Sequence, residues 1–237
     1  MSRFRWPVLA VALVSALLLL CSGIGVRLGL WHFRTGFTLL RWTVYLGVAA
    51  AILSVVLLVA LSIRGGRGRG VLVLALLLGL GAAYLPYSQL QKARSLPPIH
   101  DITTDVVEPP PFVAVLPLRA GASNKAEYGG EEIAAKQKAG YPDIQPLHLD
   151  AAPAEAFPKA LAAAKAMGWE IVAENAGEGR IEATATTFWF GFKDDVVLRL
   201  RPDGTGTRVD MRSVSRVGGS DVGANAARIR AFFARLN

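Results

Sequence analysis

The chain has 237 residues, 52% of them apolar, and a formal net charge of +8. The whole excess lies in residues 1–87, which contain eight arginines and no lysine or acid, whereas residues 88–237 contain eighteen basic and eighteen acidic residues. Since these arginines alternate with apolar runs, they act as a membrane topology signal, and we expect no nucleic-acid binding. The single cysteine, Cys21, excludes an intrachain disulfide and a cysteine-ligated zinc site.

Three uncharged apolar runs occupy about 8–26, 42–63 and 71–87. About twenty helical residues cross a bilayer, so residues 1–87 are predicted to be a transmembrane anchor of three helices. Arg3 and Arg5 make the first run similar to a signal peptide. Two further spans follow it and no convincing cleavage site does, which favours a retained span.

The segment 29–41 mixes aromatic residues with Arg34 and Arg41, which predicts an interfacial stretch between the first two spans. The three spans contain no acid and no histidine, which disfavours a transporter. They are therefore predicted to be an anchor in the lipid bilayer or a surface for partner helices.

The loop between the second and third spans carries Arg64, Arg67 and Arg69. Positively charged loops stay cytoplasmic, which places the N-terminus in the cytoplasm and everything after Tyr87 in the periplasm of a cell with a bacterial inner membrane. Five basic residues that would then lie outside oppose this count.

Residues 88–111 contain five prolines and are predicted to be a Pro-rich linker or arm. The polar side chains of this segment are candidates for touching a ligand: His100, Asp101, Thr103 and Thr104. The alternative is that they satisfy the local backbone. Adjacent residues of an extended chain point to opposite faces, so His100 and Asp101 are not expected to face each other.

Residues 112–237 are predicted to form a soluble α+β domain. Its first part predicts a short strand at 112–118, a helix at 131–139, a strand at 146–150 and an Ala-rich helix at 154–167 whose start is limited by Pro158. Strands at 169–174, 180–187, 196–201 and 207–215 follow, joined by short turns, one of them at Pro202-Asp203-Gly204. We expect an antiparallel four-stranded meander flanked by two helices.

One face of this meander is predicted to be exposed and charged, with Arg180, Glu182, Arg199, Arg201, Arg208, Asp210 and Arg212. It is either a solvated face of ion pairs or a platform for an anion or a lipid headgroup. A closing helix is predicted to begin with Ser220 as its N-cap, and Asp221 to pair with Arg212 or Arg216. Its apolar stripe is Val222, Ala226, Ile229, Phe233 and Leu236.

The densest set of hydrogen-bonding side chains gives the candidates for binding a ligand or partner: Asp194, Asp195, Arg212, Ser213, Ser215, Arg216, Ser220, Asp221, Asn225 and Arg228. We expect no catalytic residue, cofactor or metal site. The aromatic run 188–192 either packs in the core or forms an exposed edge that dips into the membrane or contacts a partner.

Several motifs occur in a fixed order: PIHDITTD at 98–105, YPDI at 141–144, FKDD at 192–195, RSVSRVG at 212–218 and SDVGAN at 220–225. With these motifs the chain resembles the bacterial domain-of-unknown-function family numbered 1499, in a multi-span membrane version. The resemblance covers about 98–236. It carries no established activity and implies only that the Asp-Asp and Arg-Ser-x-Ser-Arg elements matter for folding or for binding.

Three hypotheses of function remain open. The leading one is a non-enzymatic inner-membrane protein whose periplasmic domain binds a protein partner or a lipid-like ligand. The second is a hydrolase or transferase at the membrane surface that uses Asp194, Asp195, His100 and the arginines. The third is a structural subunit of a membrane complex.

Overall fold

A computed structural model of the chain describes residues 2–64 and 67–236. Contacts divide it into two units. The first comprises residues up to Lys92 together with Phe188–Gly191, and the second comprises Ala93–Thr187 and the chain from Phe192 onwards. Met1 and Asn237, the outer ends of the predicted anchor and domain, lie outside the described residues.

The first unit is built from three helices: α1 (Arg5–Arg27), α2 (Phe33–Arg64) and α3 (Arg69–Ser95). Each is long and apolar enough to cross a membrane, which confirms three apolar helices at the predicted places. Residues 33–41 of the predicted interfacial segment already belong to α2, which begins at Phe33 after a turn in which Gly29 has φ +71°, and their depth in a membrane stays a prediction. Likewise α3 continues to Ser95, so the first part of the predicted linker is helical.

Small residues let the three helices approach closely. A Cβ atom on Gly47 of α2 would lie 2.6 Å from the carbonyl oxygen of Gly79 of α3, and the reverse distance is also 2.6 Å. The buried Ser15 hydroxyl of α1 donates to the Thr43 carbonyl of α2 at 2.8 Å. In lipid the acyl chains are as apolar as leucine, so the hydrophobic effect does not favour contact between helices. Close packing at small residues, such as these, stabilises helix association instead.

Residues 188–191 of the aromatic run pack with the apolar helices rather than where strands meet, and their contact with a membrane or a partner stays a prediction. Trp189 and Phe190 pack within the first unit: the Trp189 indole donates to the Leu20 carbonyl at 3.4 Å, and the Phe190 and Phe37 ring centroids are 5.5 Å apart. Phe188 is 92% exposed.

The second unit contains one antiparallel sheet of six strands, not four. The strands are β1 (Asp101–Thr103), β2 (Leu147–Leu149), β3 (Glu170–Asn175), β4 (Arg180–Thr186), β5 (Lys193–Asp203) and β6 (Gly206–Ser215). The predicted meander is present as β3-β4-β5-β6. Both additional strands pair with the free edge of β6, β2 beside its first half and β1 beside its second half.

The turn between β5 and β6 lies two residues later than predicted. Pro202 and Asp203 remain paired in β5, and Asp203 faces Gly206 across the turn residues Gly204 and Thr205. Gly204 has φ +60°, a conformation that suits glycine in a two-residue hairpin turn.

Three helices complete this unit: α4 (Gly130–Gly140), α5 (Pro153–Ala166) and α6 (Ala224–Leu236). The helices predicted at 131–139 and 154–167 are confirmed within a few residues. The expectation that Pro158 delays the second of them is wrong, because α5 begins at Pro153 and Pro158 lies inside it.

The hydrophobic core lies between α5, α6 and one face of the sheet. Ile181, Val196 and Met211 point to this side from three strands and are fully buried. Alanines of α5 let that helix approach the sheet, and Phe232 of α6 stacks on Trp169 with ring centroids 5.3 Å apart. In α6 the buried ring is Phe232, while the predicted Phe233 only packs at the edge of this core.

The other face of the sheet is covered, although it was predicted to be exposed. Residues 105–128, here called the strap, run across it with one regular element, a 3₁₀ turn at Leu116–Arg119. No strand forms at 112–118, which corrects that expectation. Phe112 and Val115 of the strap pack on Val197 and Val214 of the sheet.

Candidate functional site

Asp195 is a buried anion that joins the strap to the sheet. It has no exposed surface, and its carboxylate accepts hydrogen bonds from Arg119 (2.5 Å), from Arg216 in a bidentate arrangement (2.9 and 2.8 Å) and from the Thr184 hydroxyl (2.8 Å). Burial alone would raise the pKa of Asp195, but these hydrogen bonds outweigh it, so the pKa lies below its ordinary value. A carboxylate in this state remains ionised and is a poor general acid.

Arg212 forms a second buried ion pair on the same face. Its guanidinium binds Asp101 through two hydrogen bonds, at 3.0 and 2.7 Å, and donates to the Ala126 carbonyl of the strap at 2.7 Å. The rings of Phe112 and Tyr128 lie 5.1 and 5.4 Å from it, within the range of a cation–π contact. Arg212 therefore connects β6, β1 and the strap.

The side chain of Glu182 in β4 binds backbone amides of the strap. Its buried carboxylate accepts the Val113 amide at 3.1 Å and the Val115 amide at 3.0 Å. These amides belong to an irregular segment without a strand partner, so the carboxylate satisfies donors that would otherwise be buried alone.

A third cluster of charged side chains, after those around Asp195 and Arg212, lies where the strap begins. Asp105 and Asp210 share the guanidinium groups of Arg199 and Arg208, with contacts of 2.8 to 3.3 Å. The amides of Val107 and Glu108 also bind Asp105, and burial opposes but does not cancel these effects, so the pKa of Asp105 is lowered. Arg201 donates to Glu108 at 2.9 Å and to Asp210 at 3.2 Å.

On the helix side of the sheet, Asn225 is the centre of a separate network. Its side chain bonds the Ser213 hydroxyl (2.7 Å), the Ser215 hydroxyl (3.1 Å) and the His100 carbonyl (2.9 Å). Arg228 also donates to Asn225 and Ser213, and it reaches Asp194 at 2.5 Å. Asp194 and Asp195 thus point to opposite faces and have different arginine partners, as adjacent strand residues should.

The start of α6 differs from its prediction. The helix begins at Ala224, and Asp221 caps it by accepting the Gly223 and Asn225 amides, both at 2.8 Å. The Ser220 hydroxyl accepts only the Val222 amide, at 3.2 Å. Among the described residues Asp221 forms no ion pair with Arg212 or Arg216, which corrects that expectation, and burial raises its pKa above the ordinary value.

The predicted arm belongs to the sheet. Asp101 and Thr103 lie in β1, and the Thr104 amide and hydroxyl bond the Met211 carbonyl and amide, each at 2.9 Å. Gln137 of α4 completes the outer edge: its side chain bonds the Thr103 amide at 2.9 Å and the Thr103 carbonyl at 2.6 Å. The His100 carbonyl accepts from Ser215 and Asn225.

The ten predicted binding residues therefore divide into two groups on opposite faces of the sheet. Most of these ten side chains form hydrogen bonds with one another or with neighbouring residues. That they contact a ligand stays a prediction. Sequence reasoning placed Glu182 on an exposed charged face and did not find Arg119 or Gln137, because their partners Asp195 and Thr103 lie 76 and 34 positions away in the chain. Within residues 2–64 and 67–236, no group of three or more His, Cys, Asp or Glu side chains is placed to hold a metal.

An open cavity of about 530 Å³ lies beside the third cluster. Its lining includes three cations, Lys138, Arg201 and Arg208, and two acids, Asp105 and Glu108, and we call it the basic pocket. Arg201 and Arg208 are cross-strand partners, so two like charges stand side by side at its wall. Lys138 is exposed and has no ion-pair partner within the described part of the chain.

The fold and its networks define a class: a protein with three apolar helices of membrane-spanning length and a separate antiparallel sheet domain closed by buried ion pairs. A family model described as "Protein of unknown function (DUF1499)" matches residues 101–236. The chain belongs to this family, and the three N-terminal helices are compatible with its multi-span version. No curated protein matches the chain.

Proposed function

We propose that this is an inner-membrane protein without catalytic activity whose periplasmic domain binds a lipid-like ligand through an anionic group. The observation that carries the proposal is the basic pocket, where Lys138, Arg201 and Arg208 line a cavity of about 530 Å³. Cavities of a few hundred cubic ångströms with a few convergent polar groups are typical of small-ligand sites.

The charge balance of the pocket favours an anion. Four cations lie in or beside it, Arg199, Arg201, Arg208 and Lys138, against the three acids Asp105, Glu108 and Asp210, so 4 − 3 leaves one positive charge. Arginine side chains match the oxygens of phosphate and carboxylate groups in bidentate geometry. The guanidinium groups are already oriented by buried aspartates, which reduces the entropy lost when a ligand is bound.

Butyl phosphate tests the anion site, with the full chain in nanodiscs of zwitterionic lipid and binding measured by ligand-observed NMR. Lys138→Gln is expected to weaken binding about three- to tenfold, since an exposed charge contact contributes roughly 1 kcal/mol. The matched control is Lys136→Gln, which removes the same charge from the same helix at a position outside the pocket. Absence of butyl phosphate binding, or equal effects of both variants, would refute the site.

The cellular placement needs its own experiment. A C-terminal alkaline phosphatase fusion is expected to be active and the matching GFP fusion dark, because Arg64, Arg67 and Arg69 favour a cytoplasmic loop. A bright GFP fusion with inactive phosphatase would reverse the orientation.

A protein partner is the competing occupant. Native purification in a mild detergent, with mass spectrometry of proteins and lipids, separates the two. An enriched anionic lipid supports the proposal. A stoichiometric protein without an enriched lipid would contradict it and favour an accessory subunit.

A further inference from the structure

We infer that the ligand is an amphiphile with a phosphate head in the basic pocket and a single alkyl or acyl chain in the apolar pocket beside it. This inference rests on the proposed function and adds the chemical class of the ligand. The juxtaposition of the two cavities carries it.

The second cavity has a volume of about 560 Å³ and is here called the apolar pocket. Six of its nine lining residues are apolar or aromatic, Val106, Val107, Pro109, Tyr128, Ala134 and Ala135, and the other three are Gly130, Glu131 and Lys138. Val106, Val107 and Lys138 line both cavities, so the basic pocket and the apolar pocket are neighbours that share a wall. A ligand that filled both would need a charged end and an apolar end.

Val107 marks the junction between the two cavities. Its side chain is 90% exposed, although the amide of the same residue is held by the Asp105 carboxylate at 3.1 Å. The backbone is therefore anchored while the apolar side chain stands in water. An alkyl chain passing from the head to the apolar pocket would cover it and gain the free energy of burying its surface.

Tyr128 supplies a second, independent observation. Its hydroxyl is buried and has no hydrogen-bond partner among the described residues. Burial, and then the nearby Asp101 carboxylate, raise the pKa of Tyr128 to about 12, so the phenol stays protonated and remains a donor. Buried hydroxyls are normally paired, and the ring that carries this one lines the apolar pocket, where an alkyl chain would pack against it.

One titration series distinguishes binding of the phosphate in the basic pocket from binding of the alkyl chain in the apolar pocket. Butyl, octyl and dodecyl phosphate are titrated against the full chain in zwitterionic nanodiscs, with empty nanodiscs subtracted. Affinity is expected to rise about two- to fourfold for each added methylene group until the apolar pocket is full. A photoreactive diazirine at the end of the dodecyl chain is expected to label peptides that contain 106–109 or 130–140.

Two variants of α4 test whether the alkyl chain of the ligand lies in the apolar pocket. Ala135→Gln places a larger polar group at the apolar pocket and is expected to remove most of the gain from chain length, while butyl phosphate still binds. Ala139→Gln is the matched control, an exposed alanine on the same helix that lines neither cavity.

The outcomes distinguish the two proposals. If butyl phosphate does not bind, the proposed function fails and this inference fails with it. If butyl phosphate binds with an affinity that chain length does not change, or if Ala135→Gln and Ala139→Gln reduce the gain equally, the anion site stands and the amphiphile is excluded. A chain-length gain that only Ala135→Gln removes supports the inference.

Discussion

At the scale of the residue, the main feature is the number of carboxylates that have been buried with complete sets of partners. Asp195 receives two arginines and a threonine, and Glu182 receives two amides. A buried charge costs several kcal/mol unless its partners are in place, so each of these acids specifies the position of its neighbours. The charged side chains on this face therefore stabilise the packing of the strap on the sheet.

Asp195→Asn is expected to destabilise the fold by about 3–5 kcal/mol, because it leaves Arg119 and Arg216 buried without their anion. Chemical denaturation of the full chain in detergent, followed by tryptophan fluorescence, measures the change. Asp143→Asn is the matched control: its pair with Arg230 is about half exposed and should contribute less than about 1 kcal/mol. Equal effects at both sites would contradict the assignment.

At the scale of the element, the strap depends on acceptors supplied by the sheet. Glu182→Gln keeps one acceptor oxygen but removes the charge that binds the Val113 and Val115 amides. Amide hydrogen exchange at these two residues is expected to become at least about tenfold faster, the equivalent of roughly 1.4 kcal/mol of local opening.

Glu174→Gln serves as the control for the strap. This residue is half exposed and pairs with Lys165 at 3.5 Å, and within the described residues it shares no ion-pair partner with Glu182, so it should leave strap exchange unchanged. Unaltered protection of Val113 and Val115 in Glu182→Gln would show that the strap is held by its apolar contacts alone.

The first turn of α6 depends on Asp221 as a cap acceptor. Asp221→Ala is expected to reduce the free energy of unfolding by about 1 kcal/mol, the usual value for a lost N-cap. Asp221→Asn keeps an acceptor and removes a buried charge whose pKa is raised, so at neutral pH it should be neutral or stabilising. Thermal unfolding of both variants tests this, and a loss of stability in Asp221→Asn equal to that in Asp221→Ala would refute it.

At the scale of the whole molecule, the buried acids determine how stability responds to pH. Asp195 and Asp105 have folded-state pKa values below their ordinary ones. Their contribution is present above the unfolded pKa, about 3.9, and is lost as the pH falls through the folded value. Asp221 acts in the opposite sense, because its raised pKa means that ionisation disfavours the folded state as the pH rises.

The pKa values of four carboxyl groups are lowered (Asp105, Glu132, Asp143 and Asp195) and that of Asp221 is raised, which predicts a net loss of stability as the pH falls below about 4. Denaturation midpoints measured from neutral to acid pH check this. Asp195→Asn should flatten the acid limb, and Asp221→Asn should steepen it by removing the opposing group. A midpoint that rises on acidification would contradict the sign.

Sequence patterns determined the parts of this protein that depend on local physics. The three membrane-length helices follow from uninterrupted apolar runs, and the meander β3-β4-β5-β6 follows from alternation and short turns. The predicted charged face does lie opposite the helices, whose side of the sheet is lined by Ile181, Val196 and Leu198, although the strap covers it. The ordered motifs were enough to indicate the family.

Only the tertiary structure decided what covers the charged face. β1 is three residues long and has no periodicity of its own, and the strand predicted at 146–150, which is β2, carries no signal for its partner, so the pairing of both with β6 depends on contacts far away in the chain. The strap has almost no regular structure, and its position is set by acceptors such as Glu182 and Asp195 that look like exposed strand charges until a covering segment is present. Local propensity identifies the elements of this fold, whereas long-range pairing of buried charges determines which surface is left for a ligand.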